Sequence, residues 1–566
     1  MERVCPMAAK LNAKIISSLE KCFHDEALSD HPRLKKASML RNERYSFQLA
    51  MQLQDRTCKD KKEVYLRVKS ALAAYLEVKL VREVPSMFPC YGDARRREYL
   101  RRTPGLYPDL LEPLAEGREI PLVPGQLRSL WFTIEPHVGM PTGEQKIELE
   151  LLDENSMLLA RETLALTVIG MDLPAQGLTF TQWFHCDCLA VYYGAHVFSE
   201  RHWEIIENFL RTARRYGMNM VLTPVFTPPL DTAVGAERPT VQLVDVTVEG
   251  GKYRFGFEKL DRWVHLCLRL GFEQFEISHF FTQWGAAHAP KIVARVEGRT
   301  KRIFGWETEA AGEAYASFLH AFLDALIPHL KELGIDSRCR FHISDEPSED
   351  SLGNYQAAKR IVEERLKGYP IMDALSSYEF YRQGVSECPI PSNDHIEPFL
   401  EHSVPHLWTY YCCGQSNGVS NRFLSMPSVN NRIIGTQFYK YGIEGFLHWG
   451  YNFYFSQLSR HAVNPFLVTD GDYMVPSGDA FSVYPAPDGT AWESLRLVVF
   501  HEALQDQRAL ELCESLYGRA FVMRLLEGGL RGRITFSSYP RRAAFLLRLR
   551  ERVNAAIAAR QENAEV

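Results

Sequence analysis

RCRFHISDEP (338–347) runs out of an apolar, strand-like stretch straight into two adjacent carboxylates, Asp345 and Glu346, and stops at Pro347. The segment before it reads as a helix. GEAYASFLHAFLDALIPHLKELG (312–334) sets Phe318, Leu319, Phe322, Leu323, Leu326, Ile327 and Leu330 at i, i+3/i+4 spacing, which gives a helix one apolar stripe. Gly334 is a natural C-terminal stop. A helix that ends on glycine and feeds a short apolar strand is one turn of a βα repeat, and such repeats build parallel sheets.

The repeat extends in both directions. Upstream, TFTQWFH (179–185) precedes the helical RHWEIIENFLRTARRYG (201–217), which leads to MNMVLTPVF (218–226); FEKLDRWVHLCLRLG (257–271) leads to FEQFEISHFF (272–281). Downstream, NYQAAKRIVEERLKG leads to IMDALSSYEF (371–380), HIEPFLEHSV to HLWTYY (406–411), and NRIIGTQFYKYG to IEGFLHW (443–449). AFSVYP (480–485), followed by a long helical stretch to Gly518, completes eight strand–helix pairs. Closure as a (β/α)8 TIM-like barrel is the expectation. The first 170 or so residues have a different texture. QKIELELL (145–152) alternates Ile147, Leu149 and Leu151 with Lys146, Glu148 and Glu150, a DENS turn follows, and ETLALTVIG alternates again, so the pair reads as a β-hairpin. The expected fold is multidomain, β plus α/β: a β-sandwich over 1–172, the barrel over 173–515, and a helical C-terminal extension over 516–566.

Composition narrows the function. With 46% apolar and 24% charged residues in 566, the chain has an ordinary globular balance. A net charge of −5 offers nothing to nucleic acid or an anionic membrane. No run of about 18 apolar residues suggests a membrane span, and the N-terminus carries no secretory pattern. The 12 scattered cysteines read as reduced thiols, hence a cytoplasmic protein. No P-loop, dinucleotide fingerprint or HExxH occurs, and no cofactor is expected.

In a barrel, residues at the C-terminal ends of strands carry the chemistry, and Asp345 and Glu346 hold that position. The same acidic run would also serve as a helix N-terminus. Neighbours in an extended strand point to opposite faces, so both acids reach one substrate only where the strand breaks. Pro347 favours such a break. Adjacent acids cannot flank a sugar as acid and opposing nucleophile, but one can protonate the leaving oxygen while the other steers a nucleophile belonging to the substrate. An ionised Asp345 would then help to keep Glu346 protonated.

HISDEP, HLWTYYCCGQSNGVSNRF (406–423) and NNRIIGTQFYKYGIEGFLHWGYNFY (430–454) resemble the catalytic domain of glycoside hydrolase family 123. YPDLLEPL (107–114) and PTGEQKIELEL (141–151) resemble the β-sandwich that accompanies it. The resemblance implies a retaining exo-β-N-acetylgalactosaminidase in which the 2-acetamido oxygen attacks C1. It places Asp345 as the residue that orients the acetamido group and Glu346 as acid/base, with a glycan as substrate. Around them, His279, Tyr378, Tyr410, Trp449, Tyr451 and Asn452 sit at or just past strand ends and are candidate sugar contacts.

Other readings stay open beside this one. Glu276 or Glu444 would serve as a separate carboxylate nucleophile, Arg422 and Arg432 as clamps on acidic groups, and the whole barrel as a non-catalytic glycan-binding scaffold. His185, Cys186 and Cys188 with Cys412–Cys413 are zinc-type ligands, but the spacing is not that of a CxxC pair, so no metal is expected.

Overall fold

The computed structural model describes residues 11–53, 61–346 and 349–565, with only the backbone for residue 349 and for 562–565. The chain divides into two compact units: 1–176 with 422–440 and 492–566, and 177–421 with 441–491. The helices Ser428–Tyr441 and Leu495–Tyr517, read from the sequence as barrel helices, therefore belong almost wholly to the first unit.

The first unit holds two five-stranded sheets. One runs Leu11–Ser17, Tyr45–Leu53, Leu127–Ile134, Leu76–Ser86, Gly105–Pro113. The other runs Lys36–Leu40, Leu158–Ile169, Gly143–Leu152, Lys62–Lys69, Ile120–Leu122. The hairpin is in register, with Leu164 opposite Ile147 and Glu162 opposite Leu149. Alternation puts Ile147, Leu149 and Leu151 into a core shared with Phe47, Leu130 and Phe132 of the facing sheet. A second apolar cluster joins the C-terminal helices through Leu510, Val522, Leu526, Leu549, Val553 and Ile557. Arg432 is sequestered in this unit, where it donates to Asp506 and Glu502 at 2.7 Å each. Arg422 is buried in the same unit. Neither clamps a substrate group.

The second unit is built on short parallel strands. Hydrogen-bonded neighbours follow the order Met220–Thr223, Gln274–Ile277, Cys339–Phe341. A bridge from Phe341 to Ile371 leads to Met372–Ala374, which pairs with Cys388–Ile390. A bridge from Ser392 to Tyr410 then leads to Trp408–Tyr410, Gly445–His448 and Thr179–Gln182. The N–H of Asn219 donates to the Phe180 carbonyl at 3.1 Å. Every residue of Thr179–Gln182, Met220–Thr223 and Gly445–His448 is buried, as strands covered on both faces must be.

The order departs from expectation in one member. Cys388–Ile390 joins the parallel set, whereas Val483–Pro485 is in none of its pairings among the described residues. The reason lies in local chemistry: a three-residue strand containing Pro389 shows no periodicity to read. Two hairpins, Asp245–Glu249 with Lys252–Gly256 and Ile292–Val296 with Arg299–Phe304, form a further four-stranded sheet from the loops after two of the strands.

The helix that opened the reading spans Glu313–Glu332 and buries Phe318, Leu319, Phe322, Leu323, Leu326 and Leu330 completely. It ends as a Schellman motif: the Ile335 N–H donates to the Leu330 carbonyl and the Gly334 N–H to that of Lys331. Gly334 takes φ 67°, and buried Ile335 then turns the chain into Cys339–Phe341.

Candidate active site

Strand Cys339–Phe341 gives way at His342 to an irregular path that the neighbouring segment clamps. The Phe281 N–H donates to the Ile343 carbonyl at 3.1 Å, and the Trp284 N–H to that of Asp345 at 2.9 Å. The Ser344 hydroxyl donates to the Thr282 carbonyl at 2.8 Å. Glu346 then adopts φ 41°, the left-handed region that non-glycine residues enter at a cost. That rotation undoes the opposite-face rule of an extended strand and lets Asp345 and Glu346 line one cavity. The break is seen at Glu346, while Pro347 lies outside the described residues.

Beneath them sits a buried ionic array. His342 directs Nε2 to Glu276 Oε1 at 2.7 Å and Nδ1 to Asp373 Oδ1 at 3.0 Å. With an acceptor at each nitrogen the ring is a doubly protonated imidazolium, and against the opposing effect of burial the two carboxylates raise its pKa to about 10. Glu276, fully buried, also accepts from the Thr181 hydroxyl at 2.7 Å and the Trp183 indole at 2.6 Å. Asp373 accepts from the Tyr355 hydroxyl and the Ile343 N–H, and burial lifts its carboxyl above the usual range. His279 stacks on His342 with centroids 4.2 Å apart and planes at 19°. Burial and the adjacent imidazolium hold its pKa well below the ordinary value.

The Asp345 carboxyl is pushed well above the usual carboxylate range, first by burial and then by the charge of Glu346, with Asp373 and Glu276 adding and His342 opposing. Both effects work against ionisation of Asp345, the reverse of the expected division of charge, while Glu346 is exposed and its Oε1 accepts from the Tyr410 hydroxyl at 2.8 Å. Two close carboxyls share one proton as a unit.

The cavity, including its open mouth, encloses about 700 Å³. Trp183, Trp449, Leu447 and Phe453 give it apolar walls, Tyr410 and the Cys412–Cys413 pair form the side next to Glu346, and Asp231 and Trp284 complete the rim. Trp449 is fixed by its indole N–H, which donates to buried Asp479 at 2.8 Å. Asp231 takes φ 41°; its Oδ2 accepts from the Leu458 N–H at 3.0 Å, and its own N–H donates to the Gln283 side chain. Burial raises its carboxyl to about 6, against the pull of Arg238.

Of the eight residues read as catalytic or sugar-contacting, Asp345, Glu346, Tyr410 and Trp449 meet at this cavity, as do His185, Cys412 and Cys413 of the zinc-type set; the other four of the eight do not reach it. Tyr451 is fully buried and its hydroxyl donates to the Phe209 carbonyl at 2.9 Å. Asn452 clamps the backbone of His185, accepting from its N–H at 2.9 Å and donating to its carbonyl at 3.1 Å. His279 lies under Trp183, ring edge to face at 5.2 Å. Tyr378 starts a short helix and stacks on His402 at 4.4 Å. In each case a strand-end aromatic or amide went to packing or to backbone bonds, which position in sequence does not distinguish from the rim.

Neither alternative nucleophile is placed for attack. Glu276 is committed to three donors below the floor, and Glu444 precedes strand Gly445–His448, at the opposite end of the strand from Trp449, where it pairs with exposed His406. The zinc-type residues are also engaged. His185 Nδ1 faces the Arg238 guanidinium at 3.2 Å and Nε2 donates to the Trp449 carbonyl at 3.0 Å, and burial with Arg238 lowers its pKa to about 4. Cys188 accepts from the Tyr454 N–H. His279, His342 and Asp373 lie close enough for a cation among the described residues. Stacked rings, however, aim their nitrogens in parallel rather than at one point, and both His342 nitrogens are already bonded.

Sequence reading missed Trp183, Asp231 and Trp284. Trp183 carried a usable signal, one residue past strand Thr179–Gln182, the same offset that Trp449 has after Gly445–His448. Asp231 and Trp284 stand in long loops with positive φ, for which no periodicity exists.

The sequence matches the family model "Glycoside hydrolase 123, catalytic domain" over residues 183–513. No curated protein matches the chain in sequence. Among solved structures, a family 123 glycoside hydrolase from Clostridium perfringens, described for the hydrolysis of glycolipid glycans, superposes with a TM-score of 0.72 at 15% identity over 98% of both chains. A β-glucuronidase from Parabacteroides merdae (TM-score 0.30, 11% identity, 88% of this chain and 52% of that one) and an endo-β-1,4-mannanase from Thermotoga petrophila (0.33, 12%, 59% and 77%) are too distant to weigh on the fold. With the family model spanning more than half of its residues, the chain belongs to glycoside hydrolase family 123 and is a glycoside hydrolase.

Proposed function

We propose that this enzyme is a retaining exo-glycosidase that removes terminal β-linked N-acetylgalactosamine by substrate-assisted catalysis. The observation that carries the reading is the placement of Asp345 and Glu346 as neighbours on one wall of one cavity, made possible by the left-handed turn at Glu346. Side by side, they cannot flank a sugar ring as acid and nucleophile. They can divide the work if the sugar supplies the nucleophile.

The free enzyme holds the shared proton at Asp345. A bound acetamido N–H donating to Asp345 favours its ionised form, and the proton then passes to Glu346. Glu346 protonates the glycosidic oxygen as the acetamido oxygen bonds to C1 and the C1–O bond breaks, leaving an oxazolinium ion. Glu346, now a carboxylate, takes a proton from water attacking C1, which reopens the ring and restores the configuration. Trp449 and Trp183 wall the sugar and the acetamido methyl with apolar faces, and Asp231 accepts hydrogen bonds from ring hydroxyls.

The eight parallel strands, ordered through pairings and bridges, are read here as a (β/α)8 barrel, which puts both acids at the strand C-termini where such barrels work. The cysteine usage belongs to the same proposal: a cytoplasmic enzyme acting on small imported glycans.

The test compares aryl β-N-acetylgalactosaminide, aryl β-N-acetylglucosaminide and aryl β-galactoside. Turnover is expected on the acetamido sugars alone, with inhibition by a thiazoline analogue of the intermediate. Glu346→Gln is expected to lower kcat about 10²–10⁴-fold, the usual contribution of a general acid. Comparable turnover of the plain galactoside would exclude assistance by the substrate.

A further inference from the structure

The geometry points to Trp284 as the platform of a second sugar subsite, on which the pyranose ring bonded to the scissile oxygen stacks. The inference rests on the reading of Glu346 as proton donor. Three observations carry it.

The Trp284 indole lines the mouth of the cavity and is 55% exposed, whereas Trp183 on the inner wall is 3% exposed. Folding gains nothing from a large apolar ring left in water.

The backbone that presents it is strained. Trp284, Gly285 and Ala286 follow one another at φ 58°, 118° and 55°, and a bulky residue in that region is an outlier kept only where its surroundings over-determine it. Gly285 cannot be replaced, since a Cβ there would lie 2.3 Å from that of Ser351. The loop closes on itself: the Ala286 N–H donates to the Thr282 carbonyl at 3.2 Å, and the Thr282 N–H to that of His288 at 3.0 Å.

The Trp284 N–H donates to the Asp345 carbonyl at 2.9 Å. The backbone that carries the indole is thereby tied to the peptide that carries Glu346, and both residues line the same cavity, which places Trp284 in the space that the proposed proton donor to the leaving oxygen also faces.

The surroundings select a sugar rather than an acyl chain. A pyranose offers one apolar C–H face and a rim of hydroxyls, which matches a single aromatic face next to exposed Glu346. A chain of methylenes needs a continuous apolar track, and the neighbouring Gln283 spends its amide on the loop of Asp231 and Thr232.

The experiment measures kcat/KM of wild type, Trp284→Ala and Trp284→Phe on three β-N-acetylgalactosaminides: one on galactose, one on methanol and one on a long alkanol. The loss in Trp284→Ala is expected to be about tenfold greater on the disaccharide than on the methyl glycoside, the size of an aromatic stacking contact, with Trp284→Phe recovering part of it. The backbone bond to Asp345 survives both substitutions, and thermal unfolding checks that each variant folds. Binding of the disaccharide to Glu346→Gln and to Glu346→Gln with Trp284→Ala should differ by the same factor. Equal losses on disaccharide and methyl glycoside, no loss on either, or a loss confined to the alkyl glycoside would each overturn the subsite. Wild-type turnover by Glu346→Gln would instead overturn the catalytic reading beneath it.

Discussion

The Tyr410 hydroxyl donates to Glu346 Oε1 at 2.8 Å, from the last residue of strand Trp408–Tyr410 to a residue beyond the end of Cys339–Phe341. Tyr410 is almost wholly buried, and burial, with the Glu346 charge adding, pushes its phenol well above the ordinary value. It therefore stays a donor across the working pH range. A phenol donating to a carboxylate favours the ionised form, so under the proposed mechanism it would stabilise Glu346 once the proton has gone to the leaving group.

Tyr410→Phe should accordingly lower kcat/KM by about tenfold, as expected for one hydrogen bond to a charged group. Steady-state kinetics on the aryl N-acetylgalactosaminide read this directly.

Glu276 is a structural anion. Glu276→Ala leaves the His342 charge without one of its two partners and removes the acceptor of Trp183 and Thr181, at a cost of about 3–5 kcal/mol for a broken buried pair. Thermal unfolding should show a fall of several degrees. Azide, which rescues variants lacking a carboxylate nucleophile, should restore no activity.

His342 gives stability a specific pH dependence. Its pKa rises from 6.5 unfolded to about 10 folded, so its contribution is complete below about pH 6.5 and is lost as pH climbs to 10. The melting temperature should decline across that alkaline window, and His342→Gln should flatten the decline while lowering stability at neutral pH.

Asp231 should set substrate affinity. With its carboxyl at about 6, KM is expected to rise as pH falls through that value and the acceptor becomes a neutral acid. Asp231→Asn should raise KM about tenfold near pH 7 and abolish this pH dependence, leaving kcat less affected. Initial rates between pH 4.5 and 7.5 decide it.

Local sequence specified much of the architecture, because local interactions specify it. The stripe from Phe318 to Leu330 and the stop at Gly334 are properties of one segment, as is the alternation of Ile147, Leu149 and Leu151. Two acids at a strand end were legible for the same reason. The extra parallel strand Cys388–Ile390 was not, since three residues with a proline carry no period, and only the pairing to Met372–Ala374 defines it.

What by itself the sequence determined was the long helices, the longer strands and the adjacency of Asp345 and Glu346. Which side chains share a cavity was decided only in three dimensions. Tyr410 and Tyr451 both sit at or just past strand ends, yet one hydroxyl meets Glu346 and the other meets the Phe209 carbonyl. The difference arises because a few degrees of strand direction and a handful of left-handed residues, at Glu346, Asp231 and Trp284, set where loops distant in sequence meet. Those backbone angles are held by contacts across the fold, not by the residues that adopt them.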